Sequence, residues 1–127
     1  MSHIFISYAH FDNDFVELIR IKLNEVKIQT WVDDSSLKAG TDWRVSIDDA
    51  IRNSLVVVLV MSPDSLSSHY VTYEWSFAYG LRKPIIPLMY REIALHAKLA
   101  TLQYLDFTHR TVRPWGELIQ RIRGLTL

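Results

Sequence analysis

The sequence contains no cysteine, so disulfide bonds and thiolate zinc sites are excluded. It also has no excess of charge, since 14 lysine and arginine residues balance 14 aspartate and glutamate residues. Domains that bind the phosphate backbone normally carry a basic excess, so we expect no nucleic-acid partner. No apolar run reaches the roughly 18 residues that a membrane span needs. These absences together predict a cytoplasmic protein that neither enters a membrane nor is exported.

What is present is typical of one packed domain. Hydrophobic residues make up 49% of the 127 residues and charged residues 22%, which is enough for a core and a solvated surface. We therefore predict a single domain over residues 1–127 that folds alone. The chain ends directly after the last predicted helix, and we expect from this that the domain was excised from a longer protein.

Short β-rich runs alternate with longer segments of helical period along the chain. This alternation is typical of a parallel sheet covered by helices on both faces. The predicted strands cover residues 4–8, 28–32, 55–61, 85–89 and 103–107. Right-handed crossovers and five such units favour an α/β fold of the flavodoxin-like kind, with a five-stranded parallel sheet in the order 2-1-3-4-5.

Ligands of such sheets bind beyond the carboxyl ends of the strands, where the strand order reverses. In the predicted order this point lies between strands one and three. Tyr8, Ala9 and His10 follow strand one, a polar loop at residues 33–41 follows strand two, and Ser62 follows strand three. The sequence therefore predicts a ligand site built from these segments.

Glu74 is the most notable candidate residue, because it lies among aromatic residues in a helix predicted over residues 68–81. A buried carboxylate is costly unless it is paired or useful. Tyr70 lies four residues earlier, so the two side chains are expected on one helical face. The alternative is a glutamate on the exposed side of the helix, where most glutamates lie.

Several motifs along the chain resemble one known family. They are FISY at residues 5–8, WVD at 31–33, LKAG at 37–40 followed by Trp43, LVMSP at 59–63 and KPIIPL at 83–88. With these motifs the chain resembles a Toll/interleukin-1 receptor (TIR) domain, and the similarity becomes weaker after residue 89. The resemblance implies the same flavodoxin-like fold.

The resemblance also implies an activity, because enzymatic TIR domains cleave nicotinamide from NAD+ with a glutamate that matches Glu74. Members of the family often have tryptophan where this chain has Tyr70. Lys38 or Arg44 is the candidate for the pyrophosphate, and Tyr8, Trp43 and Tyr70 are candidates to stack on nicotinamide or adenine; the alternative for Tyr8 and Trp43 is a core position. The other predicted substrate contacts are Ala9, His10, Asp33 and Gly40. No G-x-G-x-x-G motif follows a strand, so NAD+ is expected as a substrate and no cofactor is predicted. The five histidines are scattered, and we expect no metal site.

The resemblance further implies partners of the same kind. TIR enzymes commonly assemble head to tail through the BB loop, here residues 33–43, and such contacts make filaments when they do not close. The bacterial-type members serve in antiviral defence or virulence. The main alternative is a non-catalytic scaffold that acts by TIR–TIR interaction. A phosphate-receiver domain is rejected, because Ser62 and Thr108 stand where it needs aspartate and lysine.

Overall fold

The computed structural model describes residues 3–32 and 43–126, without the side chains of residues 43 and 44. The strands are β1 (His3–Ser7), β2 (Thr30–Val32), β3 (Ser54–Met61), β4 (Ile85–Met89) and β5 (Leu105–Asp106). The helices are α1 (Asn13–Glu25), α2 (Trp43–Arg52), α3 (Pro63–Leu66), α4 (His69–Gly80) and α5 (Trp115–Thr126). Short 3₁₀ turns at His10–Asp12 and Leu99–Thr101 complete the description.

The five strands form one parallel sheet in the order β2-β1-β3-β4-β5. The predicted flavodoxin-like fold is thus confirmed. Ser7, at the end of β1, is in register with Leu59 of β3. Because neighbouring parallel strands point the same way, the ends of β1 and β3 meet at one edge of the sheet, which is the edge where the ligand site is predicted.

Two apolar layers cover the sheet, and strand alternation decides which residue enters which layer. Even-numbered residues of β1 and β3, such as Ile6 and Val58, pack with the buried side chains of α1 and α5. Odd-numbered residues, such as Phe5 and Val57, pack with α2 and α4. In β1 and β3, an even-numbered side chain therefore faces α1 and α5, and an odd-numbered side chain faces α2 and α4.

Serine residues cap two helices after β3: the short α3, which the sequence did not predict, and α4, which corresponds to the helix predicted over residues 68–81. Ser62 caps α3 in a capping box with Ser65, and Ser68 caps α4 by accepting a hydrogen bond from the backbone of Val71. The helix that carries Glu74 therefore begins at His69, close to the predicted start. Within residues 3–32 and 43–126, no helix has the length and apolar character that crossing a bilayer requires.

Candidate functional site

The carboxylate of Glu74 is buried at the carboxyl end of β1. Its side chain is 2% exposed, and the Oγ of Ser7 donates a 2.6 Å hydrogen bond to its Oε1. Ser7 is the last residue of β1. Strand alternation places its side chain on the same face as Phe5, which is the face covered by α4. The contact therefore joins the catalytic candidate to the strand edge where the ligand site was predicted.

The sequence of α4 explains why Glu74 is buried. Val71, Trp75 and Ala78 are buried too, and their spacing from Glu74 is three, one and four residues. Positions spaced in this way form one helical face, so the carboxylate lies within the apolar stripe that packs on the sheet. The alternative of a solvent-exposed glutamate is excluded by this arrangement.

We expect Ser7→Ala to destabilise the fold, because the variant removes a donor from a buried carboxylate. The expected loss of unfolding free energy is about 1–3 kcal/mol. Ser67→Ala is a matched control, since Ser67 is exposed and its replacement should cost less than about 0.5 kcal/mol. Urea denaturation of both variants measures the difference. Equal midpoints for Ser7→Ala and Ser67→Ala would show that the Ser7 hydrogen bond does not stabilise the fold.

The other predicted site residues within the described chain lie in different environments. Tyr8 packs against the α1/α5 layer, on the face of the sheet opposite to Ser7 and Glu74. Ala9 is buried, and His10 is exposed at the start of the 3₁₀ turn. Tyr70 is 55% exposed in the first turn of α4, one helical turn before Glu74.

Four predicted contacts fall wholly or partly beyond the described residues. Asp33, Lys38 and Gly40 lie outside the described ranges. The backbone of Trp43 begins α2, while its side chain, like that of Arg44, is outside the description. Their roles stay predictions from the family resemblance.

A second buried carboxylate, which the sequence did not reveal as a site residue, lies at the same edge of the sheet. Asp12 is 3% exposed, and its Oδ2 accepts a 2.5 Å hydrogen bond from the Oγ of Ser62. Ser62 directly follows β3 and is fully buried. Because 50 residues separate the two partners, no local sequence pattern predicts this contact.

The folded environment changes the pKa of Asp12. Burial raises the pKa of the Asp12 carboxyl above its ordinary value. The Ser62 hydrogen bond opposes that rise in pKa, the charge of Asp64 adds to it, and Arg91 opposes it. An acid whose pKa is raised by folding stabilises the fold below its unfolded pKa, and this contribution is lost as the pH rises through the folded pKa.

We therefore expect Asp12→Asn to be at least as stable as the wild type near neutral pH. The amide is neutral, so it avoids the cost of a buried charge, and its oxygen still accepts a hydrogen bond from Ser62. The advantage should shrink as the pH falls toward the ordinary aspartate pKa of about 4. Thermal unfolding between about pH 4 and pH 8 tests this expectation. The expectation is contradicted if the melting temperature of Asp12→Asn, measured relative to the wild type, is lower at neutral pH than at acid pH.

Comparison with known proteins agrees with the fold and motifs. The family model described as "TIR domain" matches residues 4–122. Among solved structures, the TIR domain of the Toll-related receptor TRR-2 from Hydra magnipapillata is 31% identical with a TM-score of 0.84. That match covers 97% of this chain and 99% of the Hydra chain.

Two bacterial relatives carry names that state an activity. The 2' cyclic ADP-D-ribose synthase AbTIR of Acinetobacter baumannii is 35% identical over 72 residues, which are 56% of this chain and 27% of that protein. The NAD(+) hydrolase PdTIR of Paracoccus denitrificans is 38% identical over 73 residues, or 57% of this chain and 23% of that protein. Each match thus spans about a quarter of the relative's length. The family model, the Hydra structure and the strand order lead to one conclusion: this chain belongs to the TIR domain family.

Proposed function

We propose that this TIR domain is an NAD+ glycohydrolase in which Glu74 is the catalytic residue. The observation that carries the proposal is the burial of the Glu74 carboxylate against Ser7, at the carboxyl end of β1. A carboxylate held in an apolar layer at the ligand edge of an α/β sheet is a candidate for chemistry. The names of the two bacterial relatives support the choice of substrate.

The chemistry suits a single carboxylate. When the bond between ribose C1′ and the nicotinamide nitrogen breaks, its electron pair stays on nitrogen and nicotinamide leaves as a neutral molecule. Positive charge then develops on the ribose. A carboxylate beside the ribose stabilises this charge most strongly in the transition state, and such selective stabilisation raises the rate. We assign this role, together with hydrogen bonding to the ribose hydroxyls, to Glu74.

Ser7 orients the carboxylate in this mechanism. Its hydrogen bond occupies Oε1 of Glu74 and fixes the plane of the carboxyl group. Since Glu74 is 2% exposed, the proposal requires neighbouring side chains to move apart when the substrate binds. Attack of water on C1′ with loss of a proton gives ADP-ribose, and attack by a nucleophile of the same molecule gives a cyclic ADP-ribose.

The remaining substrate contacts are assigned from the family resemblance. The exposed ring of Tyr70 is proposed to stack on nicotinamide or adenine, one turn before Glu74 on α4. The backbone of residues 8–10, which continues directly from Ser7, is proposed as one wall of the site, and Lys38 and Trp43 as further contacts. NAD+ is the substrate in this scheme, and no bound cofactor is needed.

Self-association belongs to the same proposal. We propose that residues 33–43 contact a neighbouring copy and that assembly activates the enzyme in cytoplasmic defence signalling. Head-to-tail contacts of this kind produce open filaments when the rotation does not close. A strong dependence of specific activity on protein concentration is the behaviour expected of such an enzyme.

The test measures turnover and assembly on the same samples. Protein at several concentrations is incubated with NAD+, nicotinamide and the ADP-ribose products are separated by chromatography, and particle mass is followed by light scattering. We expect nicotinamide release whose specific rate rises with assembly. Assembly without any nicotinamide release would overturn the enzymatic proposal and favour the non-catalytic scaffold.

A further inference from the structure

The segment from Ser7 to Asp12 is held at both of its ends by hydrogen bonds between a serine and a buried carboxylate. At its start, the Oγ of Ser7 donates to Glu74. At its end, Asp12 accepts from the Oγ of Ser62. The first bond joins β1 to α4, whereas the second joins the residue that precedes α1 to the residue that precedes α3.

From this arrangement we infer that Asp12 is a positioning residue, which holds residues 8–10 against the substrate through its hydrogen bond to Ser62. The inference rests on the proposed function, which makes residues 8–10 one wall of the substrate site. Asp12 acts through its hydrogen bond to Ser62, and we assign it no contact with the substrate.

The backbone transmits the position of Asp12 to that wall. The amide of Asp12 donates a 2.8 Å hydrogen bond to the carbonyl oxygen of Ala9, which closes the 3₁₀ turn. His10 and Phe11 lie inside the turn and are exposed, so few side-chain contacts hold them. The bond to Ser62 ties the end of the segment to the residue that follows β3.

Ser62 is well suited to act as the fixed partner. Its backbone N–H donates to Ser65 Oγ at 2.8 Å, and its Oγ accepts from the backbone N–H of Ser65 at 3.1 Å. The hydroxyl is therefore oriented by the α3 cap while it donates to Asp12. Fully buried, it follows the central strand β3.

A charged carboxylate at position 12 strengthens the hydrogen bond to Ser62 but lowers the stability of the fold, because a buried charge is costly. A hydrogen bond to an ionised acceptor is stronger than one to an amide. Burial and the nearby Asp64 favour the neutral acid, whereas Ser62 and Arg91 favour the charged form. Stability and positioning should therefore respond in opposite directions when the charge is removed, as is common where function and stability compete.

The experiment compares Asp12→Ala, Ser62→Ala, the double variant and Asp12→Asn in the nicotinamide-release assay. Loosening residues 8–10 while leaving the Ser7–Glu74 contact intact should raise KM about ten-fold for either alanine variant and change kcat less than about three-fold. The double variant should be no worse than either single variant, because both remove one bond. Asp12→Asn should raise KM only about three-fold while its melting temperature equals or exceeds that of the wild type.

Ser65→Ala is the matched control: it removes the Ser65 hydroxyl but keeps the Ser65 backbone N–H that donates to Ser62 Oγ, so the Asp12 bond stays oriented. Its KM should stay within about two-fold of the wild type. Amide hydrogen exchange without substrate provides a second reading, with faster exchange at residues 9–12 expected in both alanine variants. An unchanged KM in Asp12→Ala, additive losses in the double variant, or an equal loss in Ser65→Ala would overturn the inference. If the wild type releases no nicotinamide, the proposed function fails, and unchanged hydrogen exchange would then separately refute the fixing of residues 8–10.

Discussion

Glu74→Gln is expected to lower the rate of nicotinamide release by about 10²–10³-fold while the protein stays folded. The amide has nearly the size of the carboxylate, but it carries no negative charge to stabilise the cationic ribose. Its oxygen still accepts the hydrogen bond from Ser7, so the surroundings of residue 74 should be preserved. The loss should appear mainly in kcat, because the interaction is strongest in the transition state.

Two companion variants sharpen this experiment. Glu74→Asp keeps the charge but withdraws it by one methylene group, and we expect a loss nearly as large, because the catalytic geometry tolerates little displacement. Glu117→Gln removes the same charge from an exposed position of α5 and should leave the rate unchanged. A Glu74→Gln protein that retains more than about a tenth of the wild-type kcat would show that the carboxylate is not the catalytic group.

Phe15→Ala is expected to cost about 3–5 kcal/mol of unfolding free energy, the largest stability effect in the molecule that we predict. The ring is 1% exposed and stacks on Tyr90 with centroids 4.1 Å apart. It also contacts Phe107 and Trp115 in the layer between the sheet, α1 and α5. Replacing the Phe15 ring with a methyl group would leave a cavity, because the rigid rings of Tyr90, Phe107 and Trp115 cannot move to fill it. Because domains are stable by only about 5–15 kcal/mol, a large fraction of the total would be lost.

Phe11 offers a matched control for this prediction, since it is the same residue type one helical turn earlier. Its side chain is 83% exposed, so Phe11→Ala should change the unfolding free energy by less than about 0.5 kcal/mol. Urea denaturation of both variants gives the comparison through the midpoints at constant slope. Similar midpoints for the two variants would contradict the packing described for the α1/α5 layer.

The fold could be predicted from the sequence because its signals are local and repeated. The valine-rich run in β3 and the alternation of short strands with helices are sufficient for a parallel sheet. Right-handed crossovers limit the possible strand orders, and the observed order is the one most common for five such units. The sequence alone leaves the burial of Glu74 open. The packing of Val71, Trp75 and Ala78 on the same helical face decides it.

The candidate site was predictable only in part, because its key contacts join distant segments. The partners Ser7 and Glu74 are 67 residues apart, and Asp12 and Ser62 are 50 apart. Neither pairing leaves a pattern in the sequence. Strand alternation does contain one signal for Ser7: as an odd-numbered residue of β1 it lies on the same face as Phe5, whereas Tyr8, directly after the strand, packs on the opposite layer.

Chromatographic measurement of nicotinamide formed from NAD+ by the concentrated wild-type domain, beside Glu74→Gln at equal folded concentration, tests the central claim most directly. We expect the assembled wild-type domain to release nicotinamide steadily, at a rate proportional to the amount of folded protein. We expect Glu74→Gln to release it only at the background rate. Equal release by the two proteins, or none by an assembled wild type, would contradict it.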